Sequence, residues 1–205
     1  ILLPFRSHIR KHLDRLSDYD LAAIAPGHGP IHGDPDFILA AYREWADDRP
    51  KNLVALPFVS MQGSTKAMVD CLVEELITLG VPVERFDLSV ADVGKLATAL
   101  MDAATIVIAT PTVLGGPHPL AAYAAVLANA LKPKARNLSV IGSYGWGGKA
   151  VKALMGMTQN LKAEIIEPHL TKGHPDESDR GSIAILANEI AKRHEEAGLL
   201  GTQTQ

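Results

Sequence analysis

The chain has a single cysteine, few aromatic residues, no surplus of positive charge and no long apolar run, and each shortage excludes something. Cys71 alone cannot form an internal disulfide, so the sequence is not a disulfide-stapled secreted scaffold; a reduced, small hydrophobe in the cytoplasm is the expectation. No stretch reaches the roughly 20 apolar residues of a membrane span, and the N-terminus lacks a signal-peptide layout. The formal net charge is -3 and no basic stripe with interleaved aromatics is present, which argues against a nucleic-acid partner. What remains is a chain of 205 residues, 47% hydrophobic, enough for one sizeable core and an appendage.

From residue 52 onward, apolar runs alternate with helical periodicity. Strands are expected at Asn52–Phe58, Val83–Leu88, Thr105–Thr110, Asn137–Ser143 and Ala163–Glu167. Helices are expected near 65–79, 91–103, 119–131, 148–161 and 179–196; in the first of them Met68, Leu72, Leu76 and Leu79 share one face. Strands spaced by helices imply right-handed crossovers and a parallel sheet, so the fold class is α/β, doubly wound around a five-stranded parallel sheet. Residues 1–50 read differently. Ser7–Asp18 and Asp36–Trp45 look helical around a strand-like "LAAIAPGHGPI", and the charged breaker Asp47-Asp48-Arg49-Pro50 reads as a linker. The domain reading is therefore an appendage over 1–50, the α/β domain over 51–198 and a tail over 199–205, frayed from Gly201 onward.

Ligands of open parallel sheets bind outside the C-terminal strand ends where strand order reverses. The loop after the first strand, Ser60-Met61-Gln62-Gly63-Ser64-Thr65, offers hydroxyl and amide donors, a glycine for a tight turn and a following helix N-terminus. That is a cradle for a phosphate monoester without a cation, and it has neither the lysine of a triphosphate loop nor a three-glycine dinucleotide pattern. The loops after the third and fourth strands, "TPTVLGGPHP" and "GSYGWGGKA", contribute Pro111, Thr112, Val113, Leu114, Gly115 and Gly116, then Ser143, Tyr144, Gly145, Trp146, Gly147 and Gly148. Glycines that let backbone approach and aromatics that can stack suit a planar heterocycle with a phosphate tail.

These residues resemble a known family. The first loop is similar to the FMN phosphate loop of flavodoxins. In order, "IAPGHGPI", "DPDFILAAYREW", "GST", "TPT", "GSYGWGG" and "HPDESD" resemble the C-terminal flavodoxin-like domain of flavodiiron proteins, the A-type flavoproteins. Two departures are Gln62, where relatives often carry an aromatic, and Leu114-Gly115, where they often carry asparagines. The resemblance implies an FMN electron-transfer domain that feeds a diiron site in a preceding metallo-β-lactamase-like domain, where O2 or NO is reduced. It further implies a rubredoxin-like or flavin reductase-like donor and a homodimer in the intact form.

On that resemblance, backbone N–H groups of Gly115, Gly116, Gly145 and Gly147 would meet the ring's polar edge, Lys149 would add positive potential, and Tyr144 and Trp146 would flank the ring. His28 matches the last iron-ligating histidine of the missing domain, residues 1–50 its end, and a diiron centre is expected only with that domain. Without that context a histidine in a Gly-Pro turn is ordinarily a local hydrogen-bonding group. His8 and His12, spaced i and i+4, read as a solvated helix face; His118, His169 and His174 have no assigned role, the last two being placed past the final strand. A free-standing flavodoxin-like carrier and a flavin-free dimerising module are the alternative functions.

Overall fold

The computed structural model describes residues 5–200 and divides into two compact units, one up to Arg49 and one from Pro50 onward. Of the expected tail, residues 201–205 lie outside the described residues, whereas the Leu199 N–H donates to the His194 carbonyl at 2.9 Å and Leu200 packs against the core. In the first unit, α1 (Arg6–Leu16) packs against α2 (Pro35–Ala46), whose N-cap Asp34 accepts from the Phe37 N–H. Arg6 and Arg10 both pair with Asp48. The stretch expected to be strand-like forms no strand: a single bridge joins Ile24 and His32, each N–H donating to the other's carbonyl at 2.9 Å. Pro26 and Pro30 supply no N–H to extend it.

The second unit is a parallel sheet in the order β2-β1-β3-β5-β6, built from β1 (Lys51–Phe58), β2 (Val83–Asp87), β3 (Ala103–Val113), β5 (Asn137–Tyr144) and β6 (Glu164–Ile165). Its central strands β1, β3 and β5 are buried almost throughout, as expected of a sheet covered on both faces. On one face α3 (Ser64–Thr78) packs beside α7 (Glu177–Glu196), and Met68, Leu72, Leu76, Ile183, Leu186 and Ile190 close the core over Leu56, Val107 and Ile141. Cys71 is half-buried against this cluster, and burial raises its thiol pKa, keeping it protonated. Helices α4 (Val93–Asp102), α5 (Pro119–Leu131) and α6 (Ala150–Met157) complete the unit.

Two strands differ from the sequence reading. The last is not continuous over Ala163–Glu167: β6 ends at Ile165, and β7 (His169–Lys172) resumes pairing with β5 at Ile141–Tyr144. Pro168 lies in the gap and has no N–H for a ladder. His169 therefore sits within the sheet, where its Nε2 is 2.9 Å from Asp179 Oδ1 in the capping box of α7, while His174 follows in the exposed turn. The third strand runs on to Val113 and folds back through β4 (Gly116–Pro117), an antiparallel hairpin.

A polar network locks the opposite, N-terminal end of the sheet. His194 is fully buried on α7, its Nδ1 2.7 Å from Asn52 Oδ1 and its Nε2 2.8 Å from Thr105 Oγ1. Because Asn52 Nδ2 donates to the Gly80 carbonyl, its oxygen faces the ring, so Nδ1 carries the proton and Nε2 accepts from Thr105. Burial lowers the His194 pKa from 6.5 to about 4. A base whose folded pKa is depressed leaves the unfolded chain binding more protons between those values, so stability is fully present above pH 6.5 and is lost as pH falls toward 4. Chemical denaturation at pH 4.5 against pH 7.5 should show a loss of about 2 to 3 kcal/mol from this group. His194→Gln should flatten that window, and an equal acid loss in both proteins would remove His194 as its source.

Candidate functional site

The chain steps from β1 outward to β2 and then returns to the other side of β1 for β3, which makes the C-terminal ends of β1 and β3 the switch point of the sheet. Register places the loops there: Phe58 pairs with Ala109, Thr110 with Gly142 and Pro111 with Ser143. The loops after β1, β3 and β5 thus leave the sheet side by side.

The first loop ends in an open helix start. Gly63 is the N-cap of α3 in the left-handed region (φ 84°) and supplies no capping side chain. Ser60 Oγ accepts the Lys66 N–H at 3.2 Å and the Gly63 carbonyl accepts the Ala67 N–H at 2.9 Å. The amides of Ser64 and Thr65 have no protein acceptor among the described residues, so the first turn presents N–H donors and the positive end of the helix dipole outward. Met61 and Gln62 are exposed and Ser64 half-buried. Thr65 is different: it is only 1% exposed, and its Oγ1 lies 3.2 Å from Ser143 Oγ. The two hydroxyls join the first loop to the third, so the Thr65 side chain is engaged inside the protein and is not a free donor to solvent.

The second loop is the β3–β4 hairpin. Thr112 pairs with Pro117 and Val113 with Gly116, leaving Leu114 (φ 51°) and Gly115 (φ 82°) as a two-residue tip with both residues left-handed, the pattern of a type I′ turn. Leu114 is 104% exposed there. Thr110 Oγ1 accepts the His118 N–H at 3.0 Å and donates to the Pro111 carbonyl, and His118 Nδ1 caps α5 by accepting the Leu120 N–H. His118, left unassigned from sequence, is a helix cap.

The third loop is tied to the second. The Lys149 N–H donates to the Gly115 carbonyl at 2.8 Å, and the Gly148 backbone lies so close to Thr112 that a Cβ there would come within 2.5 Å of Cγ2. Thr112 Oγ1 is buried without a hydrogen-bond partner. The Tyr144 carbonyl accepts the Gly173 N–H from the end of β7, Tyr144 itself is half-buried, and Trp146, between Gly145 and Gly147, is 103% exposed. All three sequence-predicted loops are therefore brought together. The residues missed by sequence are Thr110, Gly142 and His118, which shape the loops without offering a motif of their own.

His28 belongs to the first unit. It is exposed in the turn of the first unit beside Gly29 (φ 98°), and His8 and His12 are exposed on α1. Among the described residues no group of three His, Cys, Asp or Glu side chains is arranged to hold a metal. No helix among them is long and apolar enough to cross a membrane. A separate concavity of about 560 Å3 between β6, β7 and α7, lined by Ile165, Pro168, Ile185 and Leu186, shares no residue with the three loops.

Comparison with known proteins places this geometry. The flavodoxin family model matches residues 56–184. A nitric oxide reductase of Moorella thermoacetica is 34% identical over 169 residues, 81% of this chain and 42% of that protein. A rubredoxin-oxygen oxidoreductase of Megalodesulfovibrio gigas is 26% identical, covering 94% of this chain and 49% of its own length. The solved rubredoxin oxygen:oxidoreductase of Desulfovibrio gigas superposes with a TM-score of 0.90 at 25% identity, over 96% of this chain and 51% of that one. A solved archaeal flavodoxin, at 19% identity and a TM-score of 0.62, is covered over 99% of its length by 70% of this chain, and shares the fold. The chain spans about half the length of the relatives it matches.

Proposed function

The chain belongs to the flavodoxin family, and on that footing we propose that residues 51–198 bind one FMN and serve as the electron-transfer domain of a flavodiiron-type oxidoreductase. The observation that carries this reading is the uncapped start of α3 at the switch point of the sheet, with two glycine-rich loops tied beside it. The residues fit the group. Ser64 and Thr65 amides with the Ser60, Gln62 and Ser64 side chains would hold a terminal phosphate, and the close approach of Gly148 to Thr112 with the Lys149 N–H bond to the Gly115 carbonyl holds the second and third loops together beside it, where their glycines would let backbone approach a flat ring.

When bound, FMN supplies the one- and two-electron chemistry that no side chain here provides. The protein binds and orients it. Of the amides expected at a ring edge, Gly116 is engaged opposite Val113 in the hairpin; those of Gly115, Gly145 and Gly147 would be the donors there, and they would stabilise developing negative charge without a titrating group. Residues 1–50 are read as the end of a preceding metallo-β-lactamase-like domain, in which His28 would be one ligand of a diiron centre reducing O2 or NO; the resemblance of 96% of this chain to the larger oxidoreductase supports that over a free-standing carrier. The same reading gives a cytoplasmic homodimer in the intact form and a rubredoxin-type donor, a partner named in one relative.

The test is reconstitution with flavins. One FMN per chain, a yellow spectrum and no comparable uptake of FAD are expected, because the first loop has no arrangement for a bridging pyrophosphate. A chain that stays colourless in excess FMN would leave the dimerising module as the function.

A further inference from the structure

Strand β7 is short and lightly held. It lies on the outer side of β5, its one strand partner among the described residues, with Pro168 before it and Gly173 (φ 80°) after it. Yet it ends beside the third loop: Thr171 stands opposite Ser143 and Lys172 opposite Tyr144, and the Gly173 N–H donates to the Tyr144 carbonyl at 2.9 Å. That bond aims the next amide. In a trans peptide unit the carbonyl and the N–H point to opposite sides, and β3 flanks β5 on the side away from β7. A Tyr144 carbonyl turned to Gly173 therefore turns the Gly145 N–H inward, toward the ends of β3 and β1, where it has no protein acceptor among the described residues.

Side chains fix β7 to the body of the unit. His169 and Thr171, two apart, share one face of the strand. His169 Nε2 is 2.9 Å from Asp179 Oδ1 on α7, and the Thr171 hydroxyl, 3.4 Å from that nitrogen, bonds the same carboxylate. Desolvation pushes the Asp179 pKa up, but the Asp176 N–H, Thr171 and His169 together hold it below its ordinary value, so the carboxylate is ionised and only accepts. His169 thus donates through Nε2. The cap of α7 has no need of this bond: Asp179 Oδ2 takes the Asp176 N–H and Asp176 Oδ1 takes that of Asp179, which completes the capping box and leaves Oδ1 of Asp179 for the strand.

We propose that His169 is a positioning residue for the flavin: by tying β7 to Asp179 it holds the Gly173–Tyr144 bond, and so keeps the Gly145 N–H turned to the ring edge, where it favours the reduced, negatively charged cofactor. This rests on the reading of the three loops as the FMN site. His169 acts only through the strand.

Amide hydrogen exchange on the full chain, with and without FMN, and potentiometric titration of the FMN-loaded chain test it. In His169→Leu the Gly173 N–H should exchange at least about tenfold faster than in the parent, with or without flavin. The same variant should shift the ratio of reduced to oxidised flavin affinity about tenfold toward the oxidised form, a fall of about 30 mV for a two-electron couple. His169→Gln, whose amide can still donate to Asp179, should restore both readouts to within about threefold of the parent. Thr171→Val conserves shape in β7 and should move both in the same direction by less, which answers the question even where His169→Leu does not fold. Ile190→Val, which lightens α7 inside the core, should lower the melting temperature and leave the potential unmoved. Parent-like exchange at Gly173 in both the His169→Leu and Thr171→Val proteins would overturn the assignment. So would a potential that falls as far in His169→Gln or Ile190→Val, or faster exchange with an unmoved potential, which would leave His169 an anchor of β7 alone. A chain that stays colourless in excess FMN would sink the flavin reading and this role with it, whereas a yellow chain failing these tests would sink the role alone.

Discussion

Ser64→Asp should weaken FMN binding at least a hundredfold while leaving the protein as stable as the parent or slightly more so. The two halves of that expectation have opposite signs for a physical reason. A carboxylate in the first turn of α3 interacts favourably with the helix dipole, by about 0.3 to 1 kcal/mol, and the parent helix has no acidic residue in its first turn. If Ser64 served only the helix, the substitution would be neutral or beneficial in every assay. A phosphate held at the same turn would instead meet a like charge at close range and lose a hydroxyl donor, and hydrogen bonds to charged groups are worth about 1.5 to 3 kcal/mol each. Fluorescence titration with FMN beside a thermal melt separates the readings. An unchanged dissociation constant in a protein that melts as the parent does would remove the phosphate from the start of α3.

How far the fold and the site could be read from sequence depends on whether the determining forces are local. The start of β1, the periodic face of α3 and the bounds of α5 and β5 follow from apolar runs bracketed by glycine, proline and polar residues, and the structure places them within a residue or two. The site loops were legible for the same reason, since a loop at a strand's C-terminal end is positioned by the sheet whatever its own sequence. What escaped depends on pairing across the chain. Thr65 looks like a free donor until Ser143, 78 residues away, is seen to bond it. The break between β6 and β7 required knowing that both halves pair with β5. The Leu114 tip reads as an ordinary Gly-rich turn, because nothing in "TVLGGP" announces that the leucine and not a second glycine takes a left-handed conformation.

Gly142 is the sharpest case of such hidden pairing, and Gly142→Ala should destabilise the protein by about 3 to 5 kcal/mol, in the range of substitutions that impose backbone strain. It pairs with Thr110 where β3 and β5 run side by side, and a Cβ on it would lie 2.0 Å from the Thr110 carbonyl oxygen and 3.4 Å from Leu170 Cδ2 on β7. The first contact is with backbone near the C-terminal end of a parallel ladder, so no rotamer can relieve it; β5 must move away from β3 there. That movement would separate Thr110 from the hydroxyl latch that caps the second loop through His118, and would shift Ser143, the next residue, from Thr65. Gly145→Ala is the comparison, because a Cβ there meets nothing within 4 Å. Urea denaturation should therefore show a large loss for Gly142→Ala and a change within about 0.5 kcal/mol for Gly145→Ala, with FMN affinity falling in the first protein even under conditions where it is folded. Equal stability of the two variants would mean that the β3–β5 ladder yields at this point without cost, and that the loops at its end are positioned by something other than the register of the strands beneath them.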